Sequence, residues 1–203
     1  MAPSLTRPSR AGKPPPIILS RGQRGTYNTR RMASTLLPVG LALGSNLGDR
    51  REYLRAARDF LAALHEGDAD AAVSPVYETE PVDCPPGSAP FLNGVMEIVT
   101  ALDPEEFLAR TEVFERRLGR DATRERHAPR PIDIDILYAG DREIRTASFE
   151  VPHPRLTQRR FVLQPLAEIR PGLVLPGQTR SVTELLALLP DVPAVRQVAA
   201  APW

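Results

Sequence analysis

Apolar positions along the chain switch between a spacing of two and one of about 3.6 residues, and the switches mark its elements. Val39–Leu43 reads as a buried strand that ends at Gly44-Ser45-Asn46. Asp49 with Glu52 three residues later forms a capping-box signal, and Tyr53, Leu54, Ala57, Phe60, Leu61 and Leu64 follow as one helical stripe. Residues 72–79 read as a second strand, 80–90 as a loop rich in Pro and Gly of the kind that forms lids, and 91–100 as a third strand. Asp103-Pro104 opens another helix with proline at its first position. Phe107, Leu108, Thr111, Phe114 and Leu118 form its inner face, and Gly119 stops it. After a polar loop over 120–130 comes the strand Ile132–Tyr138, then shorter signals over 143–151, 161–169 and 182–189.

Strand, helix, strand, strand, helix, strand is the βαββαβ order of a ferredoxin-like α+β fold, in which helices pack on one face of an antiparallel sheet. No internal repeat is visible. The 203 residues suffice for one domain, expected over 36–192, with tails at 1–35 and 193–203. The first tail contains Pro14-Pro15-Pro16 and seven basic residues between positions 1 and 31 with no acid. That composition suits disorder or upstream sequence ahead of a start at Met32, with an Arg-rich transit peptide ranked second.

Charge is unevenly placed. Removing those seven from the 26 basic residues leaves 19 against 25 acids from Met32 onward, a net of −6 beneath an overall +1. An acidic body argues against a nucleic-acid-binding face. No apolar run reaches the roughly 18 residues of a membrane span. Cys84 is the sole cysteine, which suits a reducing, cytoplasmic setting. Lys13 is the sole lysine and lies in the tail, so the body has none to act as a P-loop, protein-kinase or Schiff-base lysine.

The candidate chemistry centres on Arg126-His-Ala-Pro-Arg-Pro-Ile-Asp-Ile-Asp-Ile-Leu137. On a strand, Ile132, Ile134 and Ile136 face one way and Asp133 and Asp135 the other. Two carboxylates roughly 6.6–6.8 Å apart along one face repel each other unless a cation intervenes. Magnesium favours such hard oxygens combined with phosphate, and Arg120, Arg124, Arg126 and Arg130 supply forks suited to phosphate oxygens. Spacing alone leaves open a polar strand face or a self-neutralising salt-bridge surface. His153, between two prolines, could donate to a phosphate or sit in a plain surface turn. Phe91 followed by Asn93 could stack on and hydrogen-bond a flat heterocycle, or Phe91 could be core. Glu115 sits near a helix C-terminus, where the dipole disfavours a carboxylate, unless Arg116 or Arg117 compensates.

Seven ordered anchors between Val39 and Pro190 resemble the 6-hydroxymethyl-7,8-dihydropterin pyrophosphokinase family of folate biosynthesis. They are Gly44-Ser45-Asn46-Leu47-Gly48, Tyr77-Glu-Thr-Glu-Pro81, Phe91-Leu-Asn93, Gly119-Arg120, the Arg126–Leu137 signature, Val151-Pro-His-Pro-Arg155, and Arg159 with Phe161. The resemblance implies transfer of the terminal pyrophosphate of ATP to the pterin hydroxymethyl oxygen, with release of AMP. It implies two magnesium ions on Asp133 and Asp135, and catalytic roles for Arg120 and Arg130. ATP would be bound by Glu115, Arg120, Arg130, Ile136, His153 and Arg159. The pterin would lie between Phe91 and Phe161, read by Asn93, Thr79 and groups near Glu80 and Val82. Two loops, 80–90 and 120–130, would close over the substrates.

Three positions depart from the family pattern. Ala122 replaces a loop arginine of some members, His127 a sealing tryptophan, and Pro154 a tyrosine, which points to altered loop closure and nucleotide affinity. An Asp-x-Asp nucleotidyl- or glycosyltransferase would explain the acid pair but leave Phe91, Asn93 and Phe161 idle. A ferredoxin-like RNA-binding or regulatory module fits poorly with the acidic body and the lack of an RNP-type aromatic strand.

Overall fold

The computed structural model describes residues 35–82, 84–120, 128–146, 149–201 and 203, all within one compact unit, Ala33–Trp203. Strand β1 (Leu37–Ser45) lies between β4 (Phe91–Thr100) and β5 (Asp133–Ala139), antiparallel to both. With β3 (Val76–Thr79) the sheet runs β5-β1-β4-β3, the ferredoxin-like order, and β8 (Val195–Ala199) extends it at the β3 edge. The segment expected as a C-terminal tail therefore contributes a strand, and it covers an edge that would otherwise expose unpaired backbone groups.

The single strand expected over 72–79 is broken. β2 (Ala72–Val73) and β3 pair with β4 on either side of Ser74-Pro75. Pro75 has no amide to donate to a ladder, and Ser74 Oγ accepts the Val95 N–H at 2.8 Å.

Helices α1 (Arg50–Ala62) and α2 (Pro104–Arg117) start where the sequence places them. Asp49 accepts from the Glu52 N–H at 3.1 Å and Asp103 from the Glu105 N–H at 3.0 Å. Both capping contacts satisfy amides that the first helical turn leaves open. Gly119 follows α2 with φ +92°, a conformation that side chains other than glycine resist. Leu54, Ala57, Leu61, Phe107 and Phe114 pack on Val39, Leu41, Leu43, Ile134 and Ile136, and Phe60 stacks on Phe114 with centroids 4.3 Å apart.

The sequence reading expected helices on one face of the sheet, but they pack on both. α3 (Arg160–Ile169) and α4 (Val182–Ala187) bury Val162, Leu163, Leu166, Val182 and Leu185 with Val95, Leu137 and Tyr138. A bulge makes this second core. Gly40 pairs with Tyr138 but Leu41 pairs with Ile136, so Leu137 is the extra residue, and Leu137 and Tyr138 both join the same core. The Tyr138 ring lies against Gly40, where an added Cβ would be 2.1 Å from it. Remaining elements are the hairpin β6 (Ile144–Arg145) with β7 (Glu150–Val151) and a 3-10 turn at Leu156–Gln158.

Candidate active site

The second face of the sheet is left uncovered beside α3, and the reason lies in β1. Its positions toward α1 and α2 carry Val39, Leu41 and Leu43, whereas on the other face Gly40 lies under the Tyr138 ring and Ala42 and Gly44 follow it. Small residues leave a floor rather than a core. Above it is a cavity of about 300 Å³ lined by Ala42, Gly44, Thr79, Phe91, Asn93, Arg120, Arg130, Asp133, Asp135, His153, Arg159 and Phe161, among others. That volume is at the small end of ordinary ligand sites.

Asp133 and Asp135 project into this cavity as strand alternation requires. Their charge is met by arginines. Asp133 lies 3.0 Å from Arg120 Nη1 and 3.2 Å from Arg130 Nη1. Asp135 has a longer contact, 3.8 Å to Arg159 Nη1. Burial, and next the Asp135 charge, push the Asp133 carboxyl above the usual carboxylate range, against the pull of Arg130, Arg120 and Arg159.

Glu115 is almost fully buried. One carboxylate oxygen accepts the Ile134 N–H at 2.6 Å and the other lies 2.5 Å from Arg120 Nη1. Burial, with a smaller push from Asp133, raises its pKa to about 7 in spite of Arg120. Its unfavourable place near the helix end is therefore answered by Arg120 and a β5 amide, not by Arg116 or Arg117. Glu115 does not line the cavity; it holds the arginine that does.

Burial, and then Arg159 and Arg155, lower the His153 pKa to about 4, so the ring is neutral near pH 7. Its Nδ1 accepts the Arg155 N–H at 3.1 Å, which leaves the proton on Nε2. Arg155 also lines the cavity and was not singled out from sequence, although it ends a motif that was.

On the other side of the cavity Asn93 donates from Nδ2 to Thr79 Oγ1 at 2.6 Å. This contact fixes the amide orientation beside Phe91. Arg159 stands over the Phe161 ring at 5.5 Å. Glu80 and Val82 line the same cavity from the loop after β3. Ile136 departs from the expected set: alternation with the aspartates turns its side chain into the helix-facing core, which leaves only its main chain for a nucleotide. Gly44 was quoted only as part of a motif, yet an added Cβ would meet Asn93 Oδ1 at 3.1 Å. The Gly-Ala-Gly alternation opposite Val-Leu-Leu was the available signal. Arg124, Arg126, Ala122 and His127 lie outside the described residues, and Pro154 lies beyond the cavity lining.

Asn46 ties the strand end to the loop entering β5. Its Oδ1 accepts the Arg130 N–H at 2.9 Å, and its own N–H donates to the Arg130 carbonyl at 3.2 Å.

A model of the 7,8-dihydro-6-hydroxymethylpterin-pyrophosphokinase family matches residues 40–171. The chain belongs to this family. A Bacillus subtilis 2-amino-4-hydroxy-6-hydroxymethyldihydropteridine pyrophosphokinase is 49% identical over 132 residues, covering 64% of this chain and 75% of the relative. A Pseudomonas aeruginosa protein of the same name is 40% identical over 152 residues, covering 75% of this chain and 91% of the relative. Among solved structures, a Plasmodium falciparum HPPK-DHPS protein with pteroate aligns with a TM-score of 0.59 at 15% identity. That alignment covers 77% of this chain but only 43% of the other, and it speaks for the fold of the pyrophosphokinase family alone.

Proposed function

We propose that this enzyme transfers pyrophosphate from ATP to the hydroxymethyl group of 6-hydroxymethyl-7,8-dihydropterin, releasing AMP, as a step of folate biosynthesis. The observation that carries this reading is that one cavity holds both an acid pair ringed by arginines and an aromatic-amide wall. Polyphosphate suits the first and a flat, polar-edged bicycle the second. A nucleotidyl- or glycosyltransferase would give no work to Asn93, Thr79, Phe91 and Phe161.

In the proposed reaction the hydroxymethyl oxygen forms a bond to the β-phosphorus of ATP. The bond from that phosphorus to the oxygen bridging the α-phosphate breaks, and AMP leaves with the electron pair. Asn93, fixed by Thr79, reads the pterin edge, with Glu80 and Val82 beside it, while Phe91 and Phe161 hold its faces. His153 donates from Nε2 to phosphate, and Arg159 and Arg130 contact the triphosphate. Arg120, held by Glu115, meets the charge that builds on the transferring group. The Ile136 main chain contributes to the nucleotide subsite. The hydroxyl proton leaves to solvent as the oxygen attacks, and Asp133 or Asp135, both lining the cavity, eases its loss.

The donor set suits magnesium, since the carboxylates of Asp133 and Asp135 share one strand face and line the same cavity. A metal there would take its other ligands from phosphate and water. Asp133 and Asp135 would hold two such ions with ATP, and their charge would stabilise the pentavalent phosphorus and the departing AMP. Arg120 and Arg130, which lie beside Asp133, would remain close enough to meet phosphate oxygens.

No described helix is long and apolar enough to cross a membrane. A cytoplasmic site of action is part of this proposal, supported by the single cysteine and the bacterial relatives. A thermal-shift series with the pterin alcohol and a non-hydrolysable ATP analogue tests the reading. Magnesium-dependent synergy between the two ligands is the expected result, and no response to the pterin in any combination would defeat it.

A further inference from the structure

Behind the Thr79–Phe91 wall, on the opposite face of the sheet, three charged side chains join the two ends of the loop over 80–90. Arg50, at the start of α1, donates from Nη1 to the Pro90 carbonyl at 2.7 Å and from Nη2 to Glu78 Oε1 at 3.2 Å. Arg196 of β8 donates from Nη2 to the other oxygen, Glu78 Oε2, at 2.5 Å. Glu78 precedes Thr79 on β3, and Pro90 precedes Phe91 on β4. The ladder adds its own register, with Thr79 opposite Phe91 on one side and Val195 on the other. The hydrogen bond from Arg196 outweighs the opposing effect of burial and, with the bond from Arg50, keeps the Glu78 carboxyl below its usual range. Glu78 is thus ionised at the pH where its arginines are charged.

None of these three side chains lines the cavity. Arg196 also lies beyond residue 171, where the family match ends. Trp203 secures the far end of the same C-terminal segment, donating from Nε1 to the Ser74 carbonyl at 2.8 Å.

We propose that Arg50, Glu78 and Arg196 are positioning residues for the pterin subsite, through which the C-terminal strand sets the spacing of Thr79 and Phe91 and the anchor points of the 80–90 loop. The proposal rests on the pterin reading of the cavity. Arg50 acts as a clip: it holds the residue just before the loop and the loop's last carbonyl with one fork. Arg196 restrains the Glu78 carboxylate from the other side, so that the clip closes in one position. ATP contacts lie across the cavity at Arg120, Arg130, His153 and Arg159, away from this network. The effect therefore falls on pterin binding and leaves nucleotide binding alone.

The test measures pterin binding directly, by fluorescence titration of the full chain with the pterin alcohol in the presence of a non-hydrolysable ATP analogue and magnesium. Nucleotide binding and Tm are measured in parallel. Glu78→Gln is expected to weaken pterin binding by about tenfold and Arg196→Ala by about threefold, the scale of losing one charge-assisted or one exposed ionic contact. Nucleotide affinity and Tm stay near wild type, and Arg196→Lys restores most of the loss. Arg196 is largely exposed, so Arg196→Ala tests the network in a folded protein even where Glu78→Gln loses stability. Pterin affinity unchanged in both variants, or pterin and nucleotide affinity falling together with Tm, would overturn the positioning role. Wild-type protein that binds the nucleotide but no pterin would overturn the pterin reading itself, and this inference with it.

Discussion

Asp133 and Asp135 share a strand face but keep different company. Among the described residues, Asp133 sits between the Arg120 and Arg130 guanidinium groups, while Asp135 is more open and has a longer contact to Arg159. Substitution of Asp135 by Ala should lower turnover by about 1,000-fold, the scale of losing a preorganised electrostatic partner, while the circular dichroism spectrum stays as in wild type. Near-normal activity of that variant at physiological magnesium would remove Asp135 from the chemistry. Glu115 makes a prediction about pH. Its folded-state pKa, about 7, lies above the ordinary 4.5, so the folded chain binds the extra proton between those values. Its contribution to stability is full below pH 4.5 and is lost as pH rises through 7. Urea unfolding should therefore show Glu115→Gln gaining on wild type between pH 5 and 8, by a difference on the order of 2 kcal/mol. A pH-independent difference would show that burial does not dominate at this carboxylate. The alternation that aims both aspartates at the cavity was plain in the sequence. The partner of Glu115 was not, because Arg120 reaches back only after Gly119 turns the chain at a positive φ.

At the level of elements, β1, α1, β4, α2 and β5 follow from local rules: alternation, capping residues, helical stripes, a proline start and a glycine stop, while the break between β2 and β3 does not. What the pattern could not supply was which side of the sheet later elements would take. Residues 161–169 carry an apolar stripe, but a stripe names no partner. The bulge at Leu137 decided it by turning two neighbouring large residues toward the same face. Short β8 escaped notice because Val195, Val198 and Ala199 are too few, and too near Pro193, to stand out from a tail. Gly40 is the requirement the bulge imposes on β1. Gly40→Ala would drive a methyl group into the Tyr138 ring and should cost about 1–3 kcal/mol, as overpacking does. A chemical-denaturation midpoint equal to wild type would mean that the ring moves freely aside. Gly44 poses the same question at the site: Gly44→Val should abolish detectable pterin binding with little change in nucleotide affinity, as read by titration.

Across the whole molecule, the two cores divide the labour. The core under α1 and α2 fixes the sheet, and the smaller one under α3 and α4 stops short of the upper strand ends, so that polar chemistry gathers where packing ends. Among the described residues, Arg120, Arg130 and Arg159 each lie within ion-pair distance of Asp133, Asp135 or Glu115. The acid pair thus sits in a self-neutralising set of ion pairs, one of the arrangements the spacing alone allowed. The most direct test is the fate of ATP. With magnesium, ATP and 6-hydroxymethyl-7,8-dihydropterin, chromatography and phosphorus NMR should show AMP and the pterin diphosphate forming in equal amounts. Formation of ADP in place of AMP, or binding of both substrates with no AMP released, would contradict the assignment.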